Sequence, residues 1–218
     1  MSAPIRVAVV TGGHSYDVPH FHELFRRFPD VDACVQGIDD FAASPKDVRQ
    51  AYDAVLFYIM MMDGPTDEHL PWYAGKPLTA LSELGETRQG IVVLHHALLA
   101  YPQWPVWNDL VGIGDRRFGY HIGEKLHVQV ADSAHPITQG LADWDMIDET
   151  YTMTDAGADS RILLSTDHPR RMRHLAWTRQ YRQARVFCFE SGHDNATWPN
   201  PQFRTVLQRG MLWSAGRL

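Results

Sequence analysis

Gly90-Ile91-Val92-Val93-Leu94-His95-His96-Ala97-Leu98-Leu99-Ala100 joins a run of apolar, mostly β-branched residues directly to two imidazoles and then to helix formers. Ile91 to Leu94 show no polar alternation, which suits a strand covered on both faces, as in the parallel sheet of an α/β domain. Such sheets bind ligands beyond the carboxyl ends of their strands. His95 and His96 therefore stand where chemistry is expected, at an elbow between a strand and a helix.

Working outward, three strand-plus-helix units precede the elbow. Ile5 to Val10 reads as a first strand that runs into the glycine turn Thr11-Gly12-Gly13-His14. Pro19 opens a helix with Phe21, Leu24, Phe25 and Phe28 at helical spacing, ended by Pro29. Val31 to Gln36 and Ala54 to Met60 read as the next strands, with Ser44-Pro45 opening a short helix between them and a helix broken by Pro71 and Pro77 after them. The alternation is that of a mostly parallel central sheet with helices on its faces. Thr11-Gly12-Gly13-His14 does not match G-x-G-x-x-G, so a dinucleotide site is a weak reading.

Beyond the elbow, Gly112 to His121 reads as a loop whose Phe118, Tyr120 and His121 can wall a small-molecule pocket. Lys125 to Val130, Met146 to Tyr151, Arg161 to Ser165, His174 to Arg179 and Arg185 to Phe189 read as strands. The basic turn Asp167-His168-Pro169-Arg170-Arg171 is expected to be solvated. The last strand repeats the pattern of the elbow, ending in Glu190-Ser191-Gly192-His193-Asp194, and Asn200-Pro201 caps a final amphipathic helix.

With 218 residues, 44% of them hydrophobic, the chain can bury a full core and falls within the range of one large domain spanning 1–218. A net charge of −6 offers no basic footprint for nucleic acid. The amino terminus lacks a basic leader, and no apolar run approaches the ~20 residues that span a bilayer, so a soluble cytoplasmic protein without a membrane partner is expected. Cys34 and Cys188 lie in apolar strand-like runs and read as buried thiols in a reducing compartment.

Three strand ends thus carry imidazoles: His14, the His95-His96 pair, and His193. Neutral imidazole is both a common first-row metal ligand and a proton shuttle near neutral pH. No H-E-x-x-H or C-x-x-C pattern is present, so such a site has to be assembled from distant loops. We expect His14, at least one of His95 and His96, and His193 to converge at the carboxyl edge of the sheet. Asp148 and Glu149 beside Tyr151 are unusual in a strand, with a solvent-facing acid as the plainer alternative.

Several of these segments together resemble the ThuA-like (trehalose utilisation) family: Val9 to His14, Gly90 to Ala97, Phe118 to His121, His135-Pro136-Ile137-Thr138, Asp148 to Tyr151, and Gly192-His193-Asp194 with Trp198 and Asn200-Pro201. The resemblance runs in order from about Arg6 to Gly216. It implies a class I glutamine amidotransferase-like fold, a flavodoxin-like three-layer sandwich, and a link to trehalose or related keto-sugars. Glutamine amidotransferases carry a nucleophilic cysteine at the elbow after the central strand, where this chain has His95 and His96, so amidotransfer lacks its thiolate. His193-Asp194 resembles the late-strand histidine and its acid.

The expectation is therefore a ThuA-like protein acting on a small carbohydrate as a metal- or histidine-dependent hydrolase, lyase or isomerase. His14, His95 and His193 are the candidate metal ligands, for zinc first. His95, His96, His193 and Glu149 are the candidate acid/base groups. Tyr120, His121, Tyr151, Asp194 and Trp198 are the candidate substrate contacts. The rival is a non-catalytic sugar-binding or sensing module on the same fold. Self-association into a homo-oligomer is left open.

Overall fold

The structure, a computed structural model, describes residues 3–218. Its centre is a nine-stranded sheet in the order β2-β1-β3-β4-β9-β8-β7-β5-β6. These are β1 (Ile5–Gly12), β2 (Val31–Gly37), β3 (Ala54–Ile59), β4 (Gly90–Leu94), β5 (Gly119–Val130), β6 (Trp144–Thr152), β7 (Arg161–Ser165), β8 (His174–Tyr181) and β9 (Ala184–Phe189). β2, β1, β3, β4 and β9 are joined by parallel pairings, as the βα alternation predicts. The remaining pairings, from β9 out to β6, are antiparallel, so the sheet is mixed and not mostly parallel.

The difference has a local cause. A parallel neighbour needs a crossover of a dozen or more residues, whereas a hairpin reverses the chain at once. β8 returns to β9 through Arg182 and Gln183 alone, with Arg182 at φ +51° as a tight two-residue hairpin requires. Gly119, Tyr120 and His121, expected in a loop, begin β5 and pair with β6. A register shift between His121 and Glu124, with Gly123 at φ +70°, breaks the alternation that would mark them as strand.

Strand residues alternate between two cores. Val7, Val9, Leu56, Val92 and Phe187 face α1 (Val18–Arg26), together with a long carboxyl-terminal helix at Pro201–Ser214. Ala8, Val10, Phe57, Val93 and Cys188 face the opposite layer, formed by α2 (Ile38–Ala43), α4 (Pro77–Ser82) and α5 (Pro105–Val111), with α3 (Lys46–Gln50) nearby in the chain. We call the carboxyl-terminal helix α6. Cys188 is wholly buried as expected, but Cys34 is only half-buried, because β2 is an edge strand. Among the described residues no helix is long and apolar enough to cross a membrane.

The packing of α6 on the sheet depends on a glycine in its middle. A Cβ at Gly210 would overlap the ring of Phe187 in β9. Alanine gains about 1 kcal/mol of helix propensity over glycine, but overpacking of a close-fitted core costs about 1–3 kcal/mol. Phe187 is wholly buried and has little room to turn. We therefore expect Gly210→Ala to lower stability by about 1–2 kcal/mol, read as a lower urea midpoint at unchanged m-value. A midpoint equal to or above the parent's would show that the ring yields.

Candidate active site

Three strand ends and one crossing strand build the site. At the end of β1, Gly13 takes φ +73°, and a Cβ there would strike the backbone at Met60; only glycine lets the loop pass β3 and set His14 over it. At the end of β4, His95 opens a 3-10 turn (His95–Leu99) in place of the expected α-helix, with φ +52°. A left-handed backbone on a non-glycine residue costs about 1–3 kcal/mol and collects at functional positions. The turn is held by the buried Arg116, which donates to the carbonyls of Leu98, Ala100 and Tyr101.

The acids arrive from the antiparallel half. Buried Asp148 of β6 accepts from the backbone N–H of Gly192 (2.8 Å) and of His193 (3.1 Å), which fastens β6 across the loop after β9. The Tyr151 backbone N–H donates to Glu190 Oε1 at 3.2 Å. Asp148 and Glu149 are therefore buried site residues, and the solvent-facing alternative does not hold.

The expected imidazoles converge. Ring centroids of His14 and His96 lie 4.6 Å apart, His14 and His193 5.7 Å, and His95 and His193 5.2 Å. His95 Nδ1 faces the carbonyl of Glu190 at 2.6 Å, and His96 Nδ1 faces that of Ile59 at 3.0 Å. A carbonyl only accepts, so both rings donate from Nδ1 and, when neutral, present a bare Nε2. For His95 that nitrogen meets the Tyr151 hydroxyl at 2.7 Å and Glu149 Oε1 at 3.5 Å. His193 Nε2 lies 3.6 Å from Glu149 Oε2.

His95, Glu149 and His193 each offer one ligand atom within 4.8 Å of the others. Ligand atoms on one ion with bonds of about 2.1 Å lie roughly 3–4 Å apart, so small side-chain adjustments suit this set to a divalent first-row metal. His14, expected among the ligands, packs instead on His96 and His193 at the rim of this set.

Electrostatics favour a charged acid. Burial works to raise the Glu149 carboxyl, but the neighbouring His95, His193 and Tyr151 side chains outweigh it, and the net shift is downward. Burial lowers His14 and pushes His96 down to about 2. Burial, with Glu149 beside it, holds the Tyr151 phenol well above its ordinary value.

The remaining expected contacts are distributed unevenly. Asp194 Oδ2 lies 3.3 Å from His193 Nδ1. Trp198 is buried, donating Nε1 to the Gly192 carbonyl at 2.9 Å, so it supports the His193 loop from below. Tyr120 is exposed and His121 half-buried on β5, with Tyr120 opposite Tyr151 in register. Glu190 and Arg171 join the site without being among its expected residues. Their side chains form an ion pair that is fully buried; Asp167, Pro169 and Arg170 of the basic turn are exposed as expected, and Arg171 departs from that expectation. An acid closing an apolar strand, and a Met172 buried next to Arg171, are the signals that were there to read.

The sequence model of ThuA, trehalose utilisation, matches residues 35–214. No curated protein sequence matches the chain. Among solved structures, a ThuA-like protein from Parabacteroides merdae is similar with TM-score 0.71 at 20% identity, over 97% of this chain and 90% of that one. A protein from Salmonella typhimurium described as cytoplasmic gives 0.65 at 15% identity, over 95% and 98%. A glutamine amidotransferase from Thermotoga maritima gives 0.58 at 8% identity, over 98% and 99%, a likeness of fold alone.

The depressed His96 ring predicts an acid-sensitive fold. Its unfolded value is near 6.5, so below that pH the unfolded chain binds a proton that the folded chain refuses. The stabilisation is fully present above about 6.5 and falls by about 1.4 kcal/mol per pH unit below it, down towards pH 2. Urea unfolding in chelator should show about 2 kcal/mol less stability at pH 5 than at pH 7, with a smaller difference in His96→Asn. An equal pH dependence in both proteins would remove His96 as the cause.

Proposed function

Because the chain belongs to the ThuA trehalose-utilisation family, we propose that it is an enzyme acting on a small carbohydrate, trehalose-derived or a related keto-sugar, at the His95–Glu149–His193 centre. The observation that carries this reading is the three-residue donor set itself, two imidazoles and one carboxylate gathered at the carboxyl edge of the sheet. His95 Nε2, His193 Nε2 and a Glu149 oxygen would hold a divalent metal, zinc first. Such an ion polarises a sugar oxygen and acidifies bound water.

The protein's own groups do the rest. Glu190 fixes the His95 tautomer through its carbonyl, so Nε2 is always the reactive nitrogen. Glu149, ionised and half-enclosed between two imidazoles, accepts a proton or holds the cation. Asp194 lies beside His193 Nδ1 without hydrogen-bonding to it, close enough to favour a positive charge on that ring. Proton transfer by such placed groups is worth about 10²–10⁴-fold in rate. Hydrolysis, elimination and isomerisation of a sugar all draw on this chemistry. The Salmonella neighbour supports a cytoplasmic setting.

Amidotransfer does not fit the donor set. The elbow carries an imidazole, and Cys188 is wholly buried inside β9 with its thiol pushed up by burial. We expect Cys34→Ala/Cys188→Ala to keep full turnover of a trehalose-derived or keto-sugar substrate, provided thermal melts show a folded chain. Loss of activity there, with His95 variants still active, would restore a thiol mechanism.

Elemental analysis of the purified chain should find about one divalent metal per protein, absent from His95→Ala/His193→Ala. A metal-free protein with full turnover would leave histidine acid/base chemistry in its place. Sugar binding without turnover in metal-loaded protein would favour the sensing module.

A further inference from the structure

Tyr151 occupies a position that a metal centre has to contend with. His95 Nδ1 is committed to the Glu190 carbonyl, so the ring has one lone pair to give, at Nε2. The Tyr151 hydroxyl lies 2.7 Å from that nitrogen and donates to it. One lone pair does not serve an O–H and a cation together.

Retreat is closed to the tyrosine. Its backbone N–H donates to Glu190 Oε1, and its carbonyl accepts from Met172 N–H at 2.7 Å. Its ring stacks on His95 with centroids 4.9 Å apart and an interplanar angle of 30°, and Phe118 packs edge-on against it. The side chain is wholly buried, so a hydroxyl that loses its acceptor needs another at once. Only rotation about the C–O bond is free. Glu149 stands beside the hydroxyl as one acceptor, and an oxygen of whatever the cation holds is the other.

We propose that Tyr151 switches partners: its hydroxyl occupies the His95 Nε2 lone pair in the metal-free chain and, once a cation takes that lone pair, donates to an oxygen gathered around the ion, of Glu149 or of the carbohydrate or water held there. The inference rests on the metal centre proposed above. It makes Tyr151 a competitor of the cation, since the ion is bound only with loss of the Tyr151–His95 hydrogen bond.

The test uses zinc alone, titrated into the full chain against a fluorescent chelator. Tyr151→Phe keeps the ring and removes the competing hydroxyl, so it should bind zinc about 3- to 10-fold more tightly than the parent, the equivalent of one ordinary hydrogen bond. Glu149→Gln, which loses a ligand, should bind at least tenfold more weakly. In the parent, zinc should also shift the near-ultraviolet tyrosine band, and that shift should be missing in Tyr151→Phe. Equal or weaker zinc binding by folded Tyr151→Phe overturns the switch. Should that variant not fold, zinc binding by the parent without any change in its tyrosine band overturns it as well. A parent that binds no zinc, with Glu149→Gln indistinguishable from it, instead overturns the metal centre.

Discussion

Glu190 is the residue to which the site is tied. Its carbonyl receives the His95 Nδ1–H, its carboxylate receives the Tyr151 backbone N–H, and Arg171 neutralises it. Both charges are removed from water altogether, which is tolerable only because each finds the other and further polar groups beside it. Separating such a pair by removing one member typically costs about 3–5 kcal/mol, since the survivor is stranded. Through this one side chain the end of β9, the elbow after β4, the crossing strand β6 and the turn between β7 and β8 are held in a common register. None of these segments is a sequence neighbour of all the others, so their agreement is a tertiary fact.

The histidine doublet shows how two adjacent residues of one type come to differ. Both rings donate from Nδ1 to a backbone carbonyl and both turn a bare Nε2 away from it. His95 aims that nitrogen at a phenol and a carboxylate, so it has polar partners. His96 packs against Tyr58 at 4.1 Å and against His14, its Nε2 buried without a partner. Desolvation then dominates, and the ring remains neutral across the physiological range.

Much of this was legible because it rests on local patterns. The unbroken run Ile91 to Leu94, the glycines before His14 and the Asn200-Pro201 cap each announce a strand, a tight turn or a helix start on their own, and Asn200 does accept from Phe203 N–H as that cap requires. The convergence of His14, His95 and His193 follows from parallel topology, which the βα alternation also announces. What escaped is what depends on partners far along the chain. Arg171 sits in a turn of basic residues whose composition says solvent, and only the buried carboxylate of Glu190 overrules that. The direction of β5 to β8 escaped too, since short turns and long crossovers look alike when strands are separated by irregular segments. Tyr120 and His121 were hidden by a bulge, which disrupts the period on which strand reading depends.

The strand order carries a further consequence for how the chain folds. β9 stands between β4, which ends at Leu94, and β8, so it joins the parallel half to the antiparallel half, yet it is the last strand to leave the ribosome. Until it arrives, both halves carry an open edge in what will be the middle of the sheet, rich in apolar side chains and unpaired backbone groups. Non-local pairings of this kind are slow to form, because loop closure precedes any gain from contact. Pairing of β9 with both neighbours closes the sheet and brings Glu190 and His193 to the elbow. The donor set thus depends on a strand that follows all its sheet partners in the sequence.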